Sequence, residues 1–107
     1  MNSANPKTPP ALGSIGTNCL LADDVVSVWD LVIPPGEATG WHKHNHDYLF
    51  IVLTPGRVYT EYEDGTKEWQ DNPAGHVERR PAEAVHRLVN AGSVEYRNIV
   101  VELKQKQ

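Results

Sequence analysis

Short β-rich runs, each cut off by a turn signal, constrain this chain more than any other feature. "VVSVWDLVI" (Val25 to Ile33) stops at Pro34-Pro35-Gly36, and "DYLFIVL" (Asp47 to Leu53) stops at Thr54-Pro55-Gly56. "RVYTEYE" (Arg57 to Glu63) runs into Asp64-Gly65, a strong hairpin dipeptide, and "TKEWQ" reads as the return strand. "HVERR", "HRLVN" and "SVEYRNIVVEL" (Ser93 to Leu103) continue the pattern. No stretch of ten or more residues carries helical spacing. Strands of this length and spacing predict an all-β barrel or sandwich. In "RVYTEYE" Val58, Thr60 and Tyr62 share one face and Arg57, Tyr59, Glu61 and Glu63 the other, as in a strand covered on one side only. "LFIVL" is apolar on both parities, which predicts burial from both sides, between two sheets or at a subunit contact. A homodimer is therefore expected, and pairing of copies also hides sheet edges.

With 107 residues the chain has room for one core. The proline-rich opening "MNSANPKTPPALGSIG" predicts a flexible arm over residues 1–16, with a single domain over 17–107. A formal charge of -4 at pH 7 gives nucleic acid no general attraction. Cys19 is the single cysteine, so no internal disulfide can form, and no basic, apolar leader opens the chain. The expected setting is the cytoplasm. No apolar run approaches the roughly 20 residues needed to cross a bilayer, so no membrane role is expected.

"GWHKHNHDYLF" places His42, His44 and His46 at alternate positions. On an extended strand, side chains two residues apart face the same way, roughly 7 Å apart along the chain. Two imidazoles so placed can lean onto one ion at about 2.0 to 2.2 Å. A solvated, polar strand end is the plain alternative. His86, in "RPAEAVHRLVN", is a remote candidate partner that an antiparallel sheet can bring alongside.

The chain resembles the cupin family over residues 36–90. That family's first motif reads Gly, five residues, His-x-His, three or four residues, Glu, six residues, Gly. Here it reads Gly36, five residues, His42-Lys43-His44, then Leu49, then Gly56. The second reads Gly75, five residues, Pro81-Ala82-Glu83, two residues, His86, three residues, Asn90, with Glu83 where the family commonly has Gly. The stretch "PPGEATGWHKHNHDYLFIVLTPG" is further similar to small single-domain cupins of the cupin_2 type grouped with β-alanine degradation proteins, a grouping by pathway that assigns no substrate.

The resemblance implies a double-stranded β-helix, a jelly-roll-like barrel, with His42, His44 and His86 on a divalent metal. Fe(II) is the first expectation, with Mn, Ni or Zn as alternatives. Leu49 occupies the slot of the usual Glu ligand, leaving a three-His site. Neutral imidazoles leave the ion its full charge, which suits water or an anionic, chelating substrate. Three-His cupins include dioxygenases acting on diketones and thiols, so the expectation is a dioxygenase-like oxidoreductase for a small organic acid or dicarbonyl compound. The alternative is a module that holds a small molecule or metal without turnover.

Other residues carry weaker signals. His46 reads as a fourth ligand, a nearby base or a solvated rim residue. Trp41 reads as a pocket wall or a packing residue, and Tyr48 as a donor to a metal-bound anion or a packing residue. Arg79, Arg80 and Arg87 read as carboxylate binders or partners in surface salt bridges. Cys19 has no identifiable base, and no glycine-rich phosphate loop is present.

Overall fold

In the computed structural model, residues 15–82 and 85–104 are described. The expected runs become strands: β1 (Asn18–Ala22), β2 (Val26–Ile33), β3 (Tyr48–Thr54), β4 (Val58–Tyr62), β5 (Lys67–Gln70), β6 (Val77–Arg80), β7 (His86–Asn90) and β8 (Tyr96–Leu103). The described residues contain no helix. β1, "NCLLA", is a strand that the turn-and-run pattern did not single out. It pairs antiparallel with β2, and Asp23 shapes the turn by accepting hydrogen bonds from the Val25 and Val26 amides.

The strands form two antiparallel sheets, one in the order β1-β2-β8-β3-β6 and one in the order β5-β4-β7. The β4–β5 hairpin turns at Asp64-Gly65 as its dipeptide predicts. Gly65 has a φ of 90°, and the Asp64 carboxylate accepts from the Thr66 amide. Side chains facing into the space between the sheets make the core: Leu31, Ile33, Phe50, Val52, Val58, Leu88, Tyr96 and Val100.

In β3 burial alternates within the chain. Tyr48, Phe50 and Val52 are buried, whereas Leu49 and Ile51 are half-buried and Leu53 is exposed. Among the described residues, only one face of "LFIVL" is therefore covered. The opposite face lies on the outside of the larger sheet.

Residues 1–14 of the expected arm lie outside the described residues. Ile15 and Gly16, which that expectation also placed in the arm, are buried. Gly16 is required there, since a Cβ on it would stand 2.6 Å from the Cβ of Trp29. Order thus begins at least two residues before Thr17. Glu83 also lies outside the described residues.

Candidate metal centre

The segment between β2 and β3 is where the two motifs meet. After the Pro34-Pro35-Gly36 turn, with Gly36 at a φ of 78°, the chain runs antiparallel to β7. The Gly36 amide donates to the Asn90 carbonyl, Thr39 to Leu88, and the Asn90 amide back to Glu37. At the far end His42 and His86 exchange both backbone hydrogen bonds, each 2.9 Å long. Such a directly opposed pair projects its side chains to the same side of the sheet. Two histidines distant in sequence are thereby fixed as neighbours by their main chains.

His44 joins them from two residues along. The ring centroids form a triangle: His42 to His44 5.1 Å, His42 to His86 4.7 Å, and His44 to His86 5.3 Å. One ligand nitrogen of each lies within 4.8 Å of the others, and all three residues are buried. The donor set fits a divalent cation, because three convergent imidazoles are a common transition-metal ligand set. His42 has its Nδ1 2.9 Å from the Gly40 carbonyl oxygen, which leaves Nε2 to face the other two rings.

His46 is not part of this group. The backbone bends at Asn45 and His46 before β3 begins, so the strict alternation that would align His46 with His44 is broken. Its charge acts on Glu102. Trp41 is half-buried with the Arg87 guanidinium 4.9 Å from its ring centroid, an outer stack rather than a wall of the centre. Tyr48 does reach the centre: its ring stacks on His44 at 3.8 Å with 16° between planes. The position facing the histidines from the start of β3 is therefore Tyr48. Leu49, which motif spacing puts in the Glu slot, points to the outer face opposite Val101 and Arg79. No carboxylate from β3 faces the ligands.

A cavity of about 40 Å³ adjoins the three rings, bounded also by Tyr48, Thr60 and Phe50. Such a space suits an ion with about one or two waters. Its polar wall includes Gln70, whose amide donates to the Thr60 hydroxyl at 2.9 Å. Ile15 and Asn98 also line it, and neither was legible as a site residue, since nothing in sequence spacing relates them to the histidines.

The arginines near the second motif are held by carboxylates. Arg87 binds Glu61 at 2.8 Å, Arg80 binds Glu78 at 3.1 Å and Glu68 at 3.3 Å, and Arg79 meets Asp47 at 3.5 Å. Among the described residues, the Glu102 carboxylate approaches His44, with Oε2 3.9 Å from Nδ1. Burial pushes its carboxyl above the usual range, against the opposing pull of His46 and Lys104.

Two sheets closing on a buried His-x-His and a remote histidine define a class, and comparison with known proteins agrees: the chain belongs to the cupin family. It is 32% identical over 83 residues to the β-alanine degradation protein BauB of Pseudomonas aeruginosa, covering 78% of this chain and 84% of the relative. A cupin domain from Bordetella pertussis superposes with a TM-score of 0.76 at 28% identity, covering 92% of this chain and all of that one. An RmlC-like cupin with a double-stranded β-helix from Methanocaldococcus jannaschii has a TM-score of 0.65 at 22% identity over 79% of this chain and 75% of its own, a likeness of fold. No family model matches the chain.

Proposed function

We propose that the protein binds one divalent metal ion through His42, His44 and His86 and uses it as a Lewis acid on a small organic acid or dicarbonyl compound, in a dioxygenase-like oxidoreductase. The observation that carries this is the buried convergence of three imidazoles beside a small cavity. With neutral ligands the ion would retain its charge, polarise a bound carbonyl and attract a carboxylate. Fe(II) is the ion of choice, with Mn, Ni or Zn able to use the same donors. The relative's name concerns β-alanine degradation, and a small carboxylic acid substrate is in keeping with that name. The tightness of the cavity supports a second reading, a module that holds a metal or small molecule without turnover.

Metal analysis of protein purified without a nickel column tests the site. His86→Ala is expected to lose the metal while His46→Ala keeps it; equal metal content in wild type and His86→Ala would overturn the assignment. Oxygen consumption by the Fe(II) form with a panel of β-dicarbonyls, thiols and small carboxylic acids separates the two readings. Turnover supports the enzyme, and binding without oxygen uptake supports the holding module.

The partner in the same reading is a second copy of the chain, in the cytoplasm. The outer face of the larger sheet presents Leu21, Val28, Leu49, Ile51, Val77, Ile99 and Val101 across neighbouring strands. Its charges are internally matched: Arg97 binds Asp30 at 2.8 Å, and Arg79 meets Asp47. A flat, apolar face without net charge suits its own likeness better than a charged partner. Five strands about 4.8 Å apart and about six residues of each give on the order of 500 Å² in projection. Counted on both copies, that meets the roughly 1,000 Å² a specific interface needs.

A further inference from the structure

Glu102 comes from β8, a strand outside both histidine motifs in the sequence. In the antiparallel pairing it stands opposite Tyr48, the residue whose ring lies on His44. Its side chain is 13% exposed, and its Oε2 is 3.9 Å from His44 Nδ1. The charges of His46 and Lys104 also act on it. Glu102 does not belong to the group whose ligand atoms lie within 4.8 Å of one another, so it approaches His44 from outside the triangle.

A neutral imidazole carries its proton on one nitrogen, and that choice decides which nitrogen can take an ion. For His42 the Gly40 carbonyl favours the proton on Nδ1. For His44 we propose that Glu102 makes the choice: it is a positioning residue that favours the proton on Nδ1 and presents Nε2 to His42 and His86. It also brings negative charge next to an otherwise neutral ligand set. A carboxylate behind a metal-binding histidine orients the ring and raises its basicity, and losing such a partner typically costs about 10–100-fold in metal affinity. In this way β8 supplies, behind a ligand, the carboxylate that Leu49 on β3 does not supply. The consequence for affinity rests on the metal-site reading above, whereas the tautomer assignment does not.

Both can be measured on chelator-stripped protein. Glu102→Gln keeps an acceptor without charge, and Glu102→Leu removes both. Co(II) titration at pH 7 is expected to rank wild type above Glu102→Gln and Glu102→Leu last, with a total loss of tenfold or more. Nitrogen NMR of the His44 ring, without metal, is expected to show Nδ1–H in wild type and a redistributed proton in Glu102→Leu. Wild-type affinity together with an unchanged tautomer in Glu102→Leu would overturn the proposal. So would reduced affinity with an unchanged tautomer and a lowered melting temperature, the pattern of a purely structural role. If wild type takes up no Co(II), the metal-site reading fails, and the His44 tautomer alone decides the role of Glu102. Should Glu102→Leu not fold, Glu102→Gln decides by the same two readouts: lower affinity supports the proposal, and wild-type affinity with an unchanged tautomer overturns it.

Discussion

Asn90 is fully buried, and its side chain is spent on the main chain: Nδ2 donates to the carbonyls of Ile33 and Val94, and Oδ1 accepts from the Gly92 amide. The last position of the second motif thus ties the end of β7 to β2 and to the turn before β8, remote from any ion. Replacing it by alanine leaves the buried Ile33 carbonyl and the part-buried Val94 carbonyl and Gly92 amide without this partner, and an unsatisfied buried group is worth about 1–3 kcal/mol. Asn90→Ala is expected to lose about 3 kcal/mol or more in urea unfolding, while any folded fraction keeps its three-histidine geometry. His42, His44 and His86 were legible because a metal site demands fixed residue types at fixed intervals. Tyr48 and Glu102 were harder to read. Their roles depend on which side of a strand they occupy and which strand lies beside it, and neither is encoded in local spacing.

Strand register explains the same contrast between elements. The runs from Val25 to Leu103 announced seven strands because alternation and turn residues are local, and the Asp64-Gly65 hairpin followed from a dipeptide. β1 escaped because "NCLLA" is short, exposed and without alternation. A bend of only two residues ahead of β3 was enough to separate His46 from the ligands and to turn Leu49 outward. β6 carries its own pH dependence. Glu78 accepts from His76 Nε2 at 3.0 Å and from Arg80 at 3.1 Å. The hydrogen bond from His76, followed by that from Arg80, holds its carboxyl below the ordinary value of 4.5. A depressed acid favours the folded state when ionised, so this contribution is complete above the ordinary pKa and is lost as pH falls through the folded one. Glu78→Gln is therefore expected to be less stable than wild type at pH 6 to 7 and to flatten the loss of stability below pH 4.5, read by thermal melts across pH.

For the whole molecule, the proposed pairing of two copies through the apolar outer face is expected to govern solution behaviour. Leu49→Glu and Ile51→Glu place charge at its centre without entering the core, because both side chains point away from the inter-sheet space. Light scattering is expected to give a dimer for wild type and a monomer for the double variant; a monomeric wild type at micromolar concentration would remove the second copy from the reading. Ile33→Ala, in contrast, empties part of the core and is expected to cost about 2–5 kcal/mol. The reciprocal backbone bonds between His42 and His86 have a consequence in time as well as space. They join segments on either side of β3, β4, β5 and β6, so their formation waits on closure of a long loop, a slow class of folding event. Until then an emerging chain offers an ion only the local His42 and His44 pair. On the proposed metal reading, full-strength capture would be a late event, available to a chain whose two sheets have already closed.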